Sequence, residues 1–154
     1  DGNDDVRISR ASGADGLKGL YEVSINGKVQ LMTKEQIEHT RFNLNGGNDT
    51  LVVHPEVDAR ITAFGGAGDD VLLGGAGDDH LYGGAGKDVI KGRGGADVIH
   101  GGDDHDRDIL EGGTGPDTVI YEPEDTVIGD PRAVVPSRER DTLIEALHER
   151  AKVR

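Results

Sequence analysis

Between Gly65 and Ile120 the chain repeats itself every nine residues, and a fixed period of this length constrains the fold more than any local propensity does. Gly65–Leu73 reads GGAGDDVLL, Gly74–Tyr82 reads GGAGDDHLY and Gly83–Lys91 reads GGAGKDVIK. Gly92–His100 (GRGGADVIH) and a stretched Gly101–Glu111 (GGDDHDRDILE) are degraded copies, and Gly112–Ile120 (GGTGPDTVI) closes the run. Glycine fills positions one, two and four of the best units. Aspartate fills position six at Asp70, Asp79, Asp88, Asp97 and Asp117, with either Asp106 or Asp108 in the stretched unit. An aliphatic fills position eight at Leu72, Leu81, Ile90, Ile99, Leu110 and Val119.

Glycines at one, two and four permit a tight turn with exposed carbonyls. The last three residues of each unit are β-prone and too few for anything but a brief strand. Turn plus strand, repeated, predicts a coil that needs two units per revolution, so turns eighteen residues apart stack. The position-eight aliphatics are its core. The stacked carboxylates would repel one another in a dry groove, so the pattern calls for a cation. Calcium takes six to eight oxygen ligands from carboxylates and carbonyls together, whereas magnesium keeps waters and demands an octahedron. Zinc prefers nitrogen and sulfur.

Composition supports that reading. Apolar residues are 34% and aromatics 3% of the chain, so its core is thin, and the net charge is −13. Such numbers lean towards disorder, but the acidic residues here recur in register, as ligands would. The absence of cysteine excludes disulfides and thiolate metal sites. No run reaches transmembrane length, and the acidity argues against nucleic acid as a partner. The chain opens at Asp1 inside a partial repeat with no signal pattern, which reads as a piece of something longer.

The flanks carry other signals. Asp1–Ile8 resembles the back half of a repeat, with Val6 in the aliphatic slot. Tyr21–Ile25 and Lys28–Met32 alternate around Asn26–Gly27, the signature of a type I′ hairpin over 21–32. Thr33 with Gln36 forms a capping box that predicts a short helix over 34–40. Leu44–Val52 is a degraded repeat with Gly47, Asp49 and Leu51 in the expected slots, and Val53–Phe64, with Asp58 and Ile61, resembles one more. After Ile120 the period ends in a proline-containing stretch, and Leu143, Ile144, Leu147 and Ala151 share a face of a predicted helix over 138–153.

The units resemble the RTX nonapeptide GGxGxDxUx of haemolysin-type calcium-binding proteins. The resemblance implies an all-β fold: a right-handed parallel β-roll, with an N-terminal hairpin and short-helix cap and a C-terminal helix. It divides the chain into an N-terminal flank over 1–64, the repeat array over 65–120 and a C-terminal flank over 121–154. It also implies a ligand map in which one turn supplies carbonyls two and four with its aspartate, and the turn two units later supplies carbonyls one and three with its own. Carried over, the first site joins Gly66, Gly68 and Asp70 to Gly83, Ala85 and Asp88. The second joins Gly75, Gly77 and Asp79 to Gly92, Gly94 and Asp97. The third joins Gly84, Gly86 and Asp88 to Gly101, Asp103 and Asp106, although the two extra residues of the fifth unit let Asp108 hold the slot instead. The fourth joins Arg93, Gly95 and Asp97 to Gly112, Thr114 and Asp117; the Arg93 side chain is expected to point away and leave its carbonyl. A further site joins Asn45, Gly47 and Asp49 to Gly65, Ala67 and Asp70, and another would link Asp58 to the turn of Asp79. On this map the ladder is firmest between Asp70 and Asp97.

The function implied is calcium binding coupled to folding, in a larger secreted bacterial protein. An exporter or a host-surface target is the kind of protein partner such a module meets. The alternatives are a non-catalytic calcium module of a secreted protease, lipase or epimerase, or an adhesion module. No residues here form a catalytic constellation. His80, His100 and His105 fall at scattered repeat slots and read as ordinary polar positions. His148–Glu149 starts like a zinc-protease motif, but Lys152 stands where the second histidine would be. Asp130–Pro131 matches a bond that self-cleaves in some relatives, but reads as a turn. Tyr21, Phe42, Phe64, Tyr82 and Tyr121 are dispersed and predict no sugar-stacking platform.

Overall fold

The computed structural model describes residues 2–13, 15–129 and 133–136. The helix expected over 138–153 and the Asp130–Pro131 bond lie outside them. Among the described residues, fourteen strands form two sheets, accompanied by one short α-helix and a 3-10 turn at Asp15–Leu17. In chain order the strands are β1 (Asp5–Arg10), β2 (Leu20–Ile25), β3 (Lys28–Thr33), β4 (Arg41–Asn43), β5 (Thr50–Val53), β6 (Thr62–Ala67) and β7 (Val71–Leu73), then β8 (His80–Ala85), β9 (Val89–Gly94), β10 (Val98–His100), β11 (Ile109–Thr114), β12 (Thr118–Tyr121), β13 (Thr126–Ile128) and β14 (Ala133–Pro136). Helix α1 is Lys34–Glu38.

From β4 onward the chain alternates between sheets. One sheet has the order β13-β11-β9-β7-β5-β1-β2-β3 and the other β14-β12-β10-β8-β6-β4. All pairings are parallel except β1 with β2 and β2 with β3. This is a parallel β-roll. Each coil contributes one strand to each sheet, and the nine-residue period sets the strand register. Val6, Leu51, Leu72, Ile90, Leu110 and Val127 align across the first sheet. Phe42, Ala63, Leu81, Ile99 and Val119 align across the second.

Those two rows meet as the core, only one side chain thick from each sheet. Leu72, Leu81, Ile90, Ile99, Leu110 and Val119 are all fully buried. Each packs on the rungs above and below, so a truncation is felt on both sides. Ile90→Ala is expected to cost about 2–5 kcal/mol, read as a lower urea midpoint of the calcium-saturated protein.

The N-terminal end is closed by the hairpin and the helix. Asn26 (φ 51°) and Gly27 (φ 77°) form the turn with both residues left-handed, as a two-residue hairpin loop requires. Thr33 caps α1 and Gln36 returns the bond, completing the capping box. Tyr21, Val23, Met32 and Ile37 turn inward and cover the first coil. The Tyr21 hydroxyl donates to Asp58 at 2.5 Å, and Arg10 pairs with Asp58 at 2.9 Å, which ties the hairpin to the roll.

Three expectations change. The coil does not end at Ile120: β13 and β14 extend both sheets, with Val127 beside Leu110 and Val134 beside Val119. Asp58 does not occupy an aspartate slot. Ala63 aligns with Leu81, which puts Ile61 in position six of that unit. The aromatics are not all dispersed. Eighteen residues make one coil, so Phe64 and Tyr82 stack with centroids 4.8 Å apart and planes 7° off parallel, and His100 follows at 6.3 Å. The pair covers one face of each ring with the other.

Candidate metal centre

The turns between strands stack along the two edges of the roll. Along one edge, backbone N–H groups of each aspartate donate to Oδ1 of the aspartate one coil later: Asp4 to Asp49 at 2.6 Å, Asp49 to Asp70 at 2.7 Å, Asp70 to Asp88 at 2.9 Å, Asp88 to Asp108 at 2.9 Å and Asp108 to Asp125 at 3.1 Å. Along the other, Ile61 donates to Asp79 and Asp79 to Asp97 at 2.8 Å each, and Asp97 to Asp117 at 3.0 Å. The position-six carboxylates from Asp49 to Asp117, Asp108 included, are at most 2% exposed.

This bonding uses one oxygen of each carboxylate. The other, Oδ2, is buried without a hydrogen-bond partner at Asp49, Asp70, Asp88 and Asp97. Such a group in a closed site carries a desolvation cost of several kcal/mol or a ligand. Its surroundings are oxygen-rich. A Cβ added to Gly65 would meet both Asp70 Oδ2 and the Gly83 carbonyl; one on Gly83 would meet Asp88 Oδ2 and the Gly101 carbonyl; one on Gly92 would meet Asp97 Oδ2 and the Gly112 carbonyl. Glycine at position one is therefore required by space, and the space is bounded by a carboxylate and a carbonyl of the next coil.

The carbonyls at positions two and four point the other way along the stack. The Gly66 carbonyl reaches the place of a Cβ on Gly84, Gly68 that on Gly86, Gly77 that on Gly95, and Arg93 that on Gly113. Gly84 has φ 123° and Gly66 φ 116°, a conformation that turns the carbonyl along the axis and that side chains resist. Carbonyls of one and three are engaged from below: Gly68 N donates to Ala85 O at 2.7 Å and Gly84 N to Gly101 O at 2.8 Å. A carbonyl has a second lone pair to give.

The turns place the residues of the first site on neighbouring coils, with Gly66, Gly68 and Asp70 stacked against Gly83, Ala85 and Asp88. At the third, Asp108 is buried beneath the stack while Asp103 and Asp106 are exposed, and Gly86 N donates instead to Asp104 at 2.6 Å. The two-residue insertion loops outward and leaves Asp108, two residues before core Leu110, in the position-six place. At the fourth, Gly95 N meets Thr114 O at 3.1 Å. At the further site, Ala67 N meets Asn45 O at 2.8 Å and Gly47 N meets Ala67 O at 2.9 Å. Asp58 is engaged with Tyr21, Arg10 and Lys34 and lies away from Asp79. The reading by period missed Asp125, which sits in the ladder beyond the apparent end; Asp125-Thr-Val127 has the six-to-eight spacing of a unit without its glycines.

Burial sets the electrostatics. Desolvation first, and neighbouring carboxylates after it, push Asp88 and Asp97 up to about 7 and Asp79 and Asp108 up to about 6, from an ordinary 3.8. Backbone N–H bonds oppose the rise without cancelling it. Asp70 and Asp125 are raised by the same cause. Among the described residues no three or more His, Cys, Asp or Glu converge on one point. Levels with an aspartate in both position-six places instead offer two carboxylates and several carbonyls, all hard oxygens, a donor set that fits Ca²⁺ and does not fit zinc.

No helix among the described residues is long and apolar enough to cross a membrane. Comparison with curated proteins and with solved structures returns no match. A family model of the RTX calcium-binding nonapeptide repeat, four copies long, matches residues 62–90, 73–108 and 106–120. With the glycine spacing, the buried aspartate stack and the parallel coil in agreement, the segment from residue 62 to residue 120 is an RTX calcium-binding nonapeptide array of the haemolysin type.

Proposed function

We propose that the chain is a calcium-binding module that completes its fold on taking up several Ca²⁺ ions, outside the cell and within a larger exported protein. The observation that carries this reading is the set of buried, partnerless Oδ2 atoms at Asp49, Asp70, Asp88 and Asp97. On this reading Asp70 acts with Gly66, Gly68, Gly83, Ala85 and Asp88, and Asp88 acts again with Gly84, Gly86, Gly101 and Asp108. Asp97 acts with Arg93, Gly95, Gly112, Thr114 and Asp117 on the opposite edge. Asp49 acts with Asn45, Gly47, Gly65, Ala67 and Asp70. When bound, the ion supplies the positive charge that lets adjacent carboxylates stay ionised side by side.

Residues 65–120 carry most of the calcium-binding turns of the proposed module, and the N-terminal flank, 1–64, closes that end and adds Asn45, Gly47 and Asp49. Its role is structural and non-catalytic. Binding free energy then becomes folding free energy, so low calcium keeps the chain open for export and high calcium closes it. Far-UV circular dichroism during a calcium titration at pH 7.5 tests this. The β-signal is expected to be largely absent without calcium and to appear cooperatively. A full β-signal in calcium-free buffer at that pH would remove the folding role.

A further inference from the structure

In a chain of net charge −13, several cations sit beside acceptors. Arg7 pairs with Asp5 at 3.1 Å, Arg10 and Lys34 with Asp58 at 2.9 and 3.6 Å, and Lys91 with Glu111 at 2.8 Å. The Arg93 side chain does not point away from the array as expected; its Nη1 donates to Gly74 O at 2.9 Å and to Val53 O at 2.6 Å. Arg41 and Arg60 are different. Among the described residues neither guanidinium has an ion pair or a hydrogen bond. Both line one cavity of about 420 Å³. The register of the roll builds its floor. Arg41 on β4 stands beside Thr62 on β6, and Thr62 beside His80 on β8. These positions alternate with Phe42, Ala63 and Leu81 of the core, so they face outward. The Phe64–Tyr82 stack, two residues further along β6 and β8, lines one side, and the end of α1 lines the other. The acid of the lining, Glu38, is already engaged: it accepts from Arg60 N at 3.4 Å and reaches Lys34 Nζ at 3.9 Å. Among the described residues the Thr62 hydroxyl, the His80 ring and the Tyr82 hydroxyl make no hydrogen bond.

We propose that this cavity binds a phosphomonoester carried by a small ring-bearing molecule. Two guanidinium groups without a counter-charge call for an anion. A phosphomonoester carries about −1.5 to −2 at pH 7 and offers three acceptor oxygens, whereas a carboxylate matches only one of the two arginines. Each guanidinium presents a planar fork of N–H donors suited to two phosphate oxygens, and the Thr62 hydroxyl and His80 ring add donors on the same floor. Phe64 and Tyr82 supply apolar surface for the ring that carries the ester, since aromatic rings attract one another edge to face or offset. The acidity of the whole chain works against an anion only over distance, and salt screens that field within about 8 Å. The cavity lies on the outer face of a sheet, whereas the aspartates lie in the turns, so the site is separate from the calcium ladder.

Phenyl phosphate titrated into the whole chain at saturating calcium, followed by NMR of the histidine ring protons, tests this. The His80 resonances are expected to shift saturably and those of His54, on the other sheet, to stay in place. Arg41→Gln and Arg60→Gln are each expected to weaken binding about tenfold, the effect of losing a charge-assisted hydrogen bond. Lys28→Gln, at the hairpin turn, is expected to leave it unchanged. Both arginines are exposed, so the far-UV circular dichroism and the calcium count of their variants should match the wild type. Benzoate, which keeps the ring but carries a single charge, is expected to bind the wild type at least about tenfold more weakly, a comparison that needs no variant. A His80 signal that does not move, benzoate binding as tightly as phenyl phosphate, or arginine variants that bind like Lys28→Gln would overturn the site. Retention on phosphatidic acid vesicles without any response to phenyl phosphate would overturn the soluble ligand.

Discussion

Asp88→Ala is expected to remove two calcium ions and to raise the calcium midpoint of folding at least tenfold. Asp88 belongs to two successive levels. Its Oδ1 accepts from Asp70 N at 2.9 Å, and its partnerless Oδ2 borders the same space as the Gly101 carbonyl. Truncation leaves the buried Asp70 N–H without a partner, at about 1–3 kcal/mol, and withdraws one of two carboxylates from each level. Since about 1.4 kcal/mol is tenfold in affinity, the two losses together reach the predicted shift. Asp69→Ala is the matched control: Asp69 is exposed at position five and only caps Lys87 N at 2.9 Å. Asp108→Ala should resemble Asp88→Ala in kind, and Asp106→Ala should resemble the control. Calorimetric titration reads both count and midpoint, and an unchanged count in Asp88→Ala would sink the ligand map.

Acidification is expected to stabilise the metal-free protein and to destabilise the calcium-bound one. Burial raises Asp88 and Asp97 to about 7, and Asp79 and Asp108 to about 6, when folded. In the unfolded chain the same groups titrate near 3.8. The folded state therefore binds more protons between those values. Its stability is fully present below about 3.8 and is lost as pH rises through 6 and 7, by on the order of a few kcal/mol for each group. Calcium reverses the trend, because its ligands must be ionised and binding releases protons. Asp58, held below its ordinary value first by the Tyr21 hydroxyl, contributes in the opposite direction only at more acid pH. Thermal melts at pH 4.5 and 7.5, in calcium-free buffer and in excess calcium, should cross. Higher metal-free stability at pH 7.5 than at pH 4.5 would contradict the burial of ionisable aspartates.

The fold was legible because the repeat states it twice. Glycines fix the turns and the position-eight aliphatics fix the strand register, so Leu72 beside Ile90 and Leu81 beside Ile99 follow from counting alone. The hairpin and the capped helix were legible from local chemistry, at Asn26–Gly27 and at Thr33 with Gln36. Counting failed where units lose their glycines. Ile61 and Asp125 take position-six places in stretches with no glycine punctuation, and only their pairing with neighbouring coils reveals it. The stretched unit left Asp106 and Asp108 equal by sequence. The structure separates them because Leu110 must stay in the core, and that anchors the slot two residues before it.

The sequence by itself determined the coil, its core and the recurrence of a carboxylate wherever the nine-residue period holds, since each depends on residues close together in a period. Only the tertiary structure decided how the oxygens at each level are engaged. That engagement depends on contacts between coils: which Oδ2 is left without a partner, and where the Arg93 side chain goes. The ladder that counting made firmest, from Asp70 to Asp97, contains the one turn with the Asp79 oxygen already bonded and the Gly74 carbonyl already held by a cation 19 residues away. A nine-residue pattern cannot show this, because the cation is supplied by the next coil.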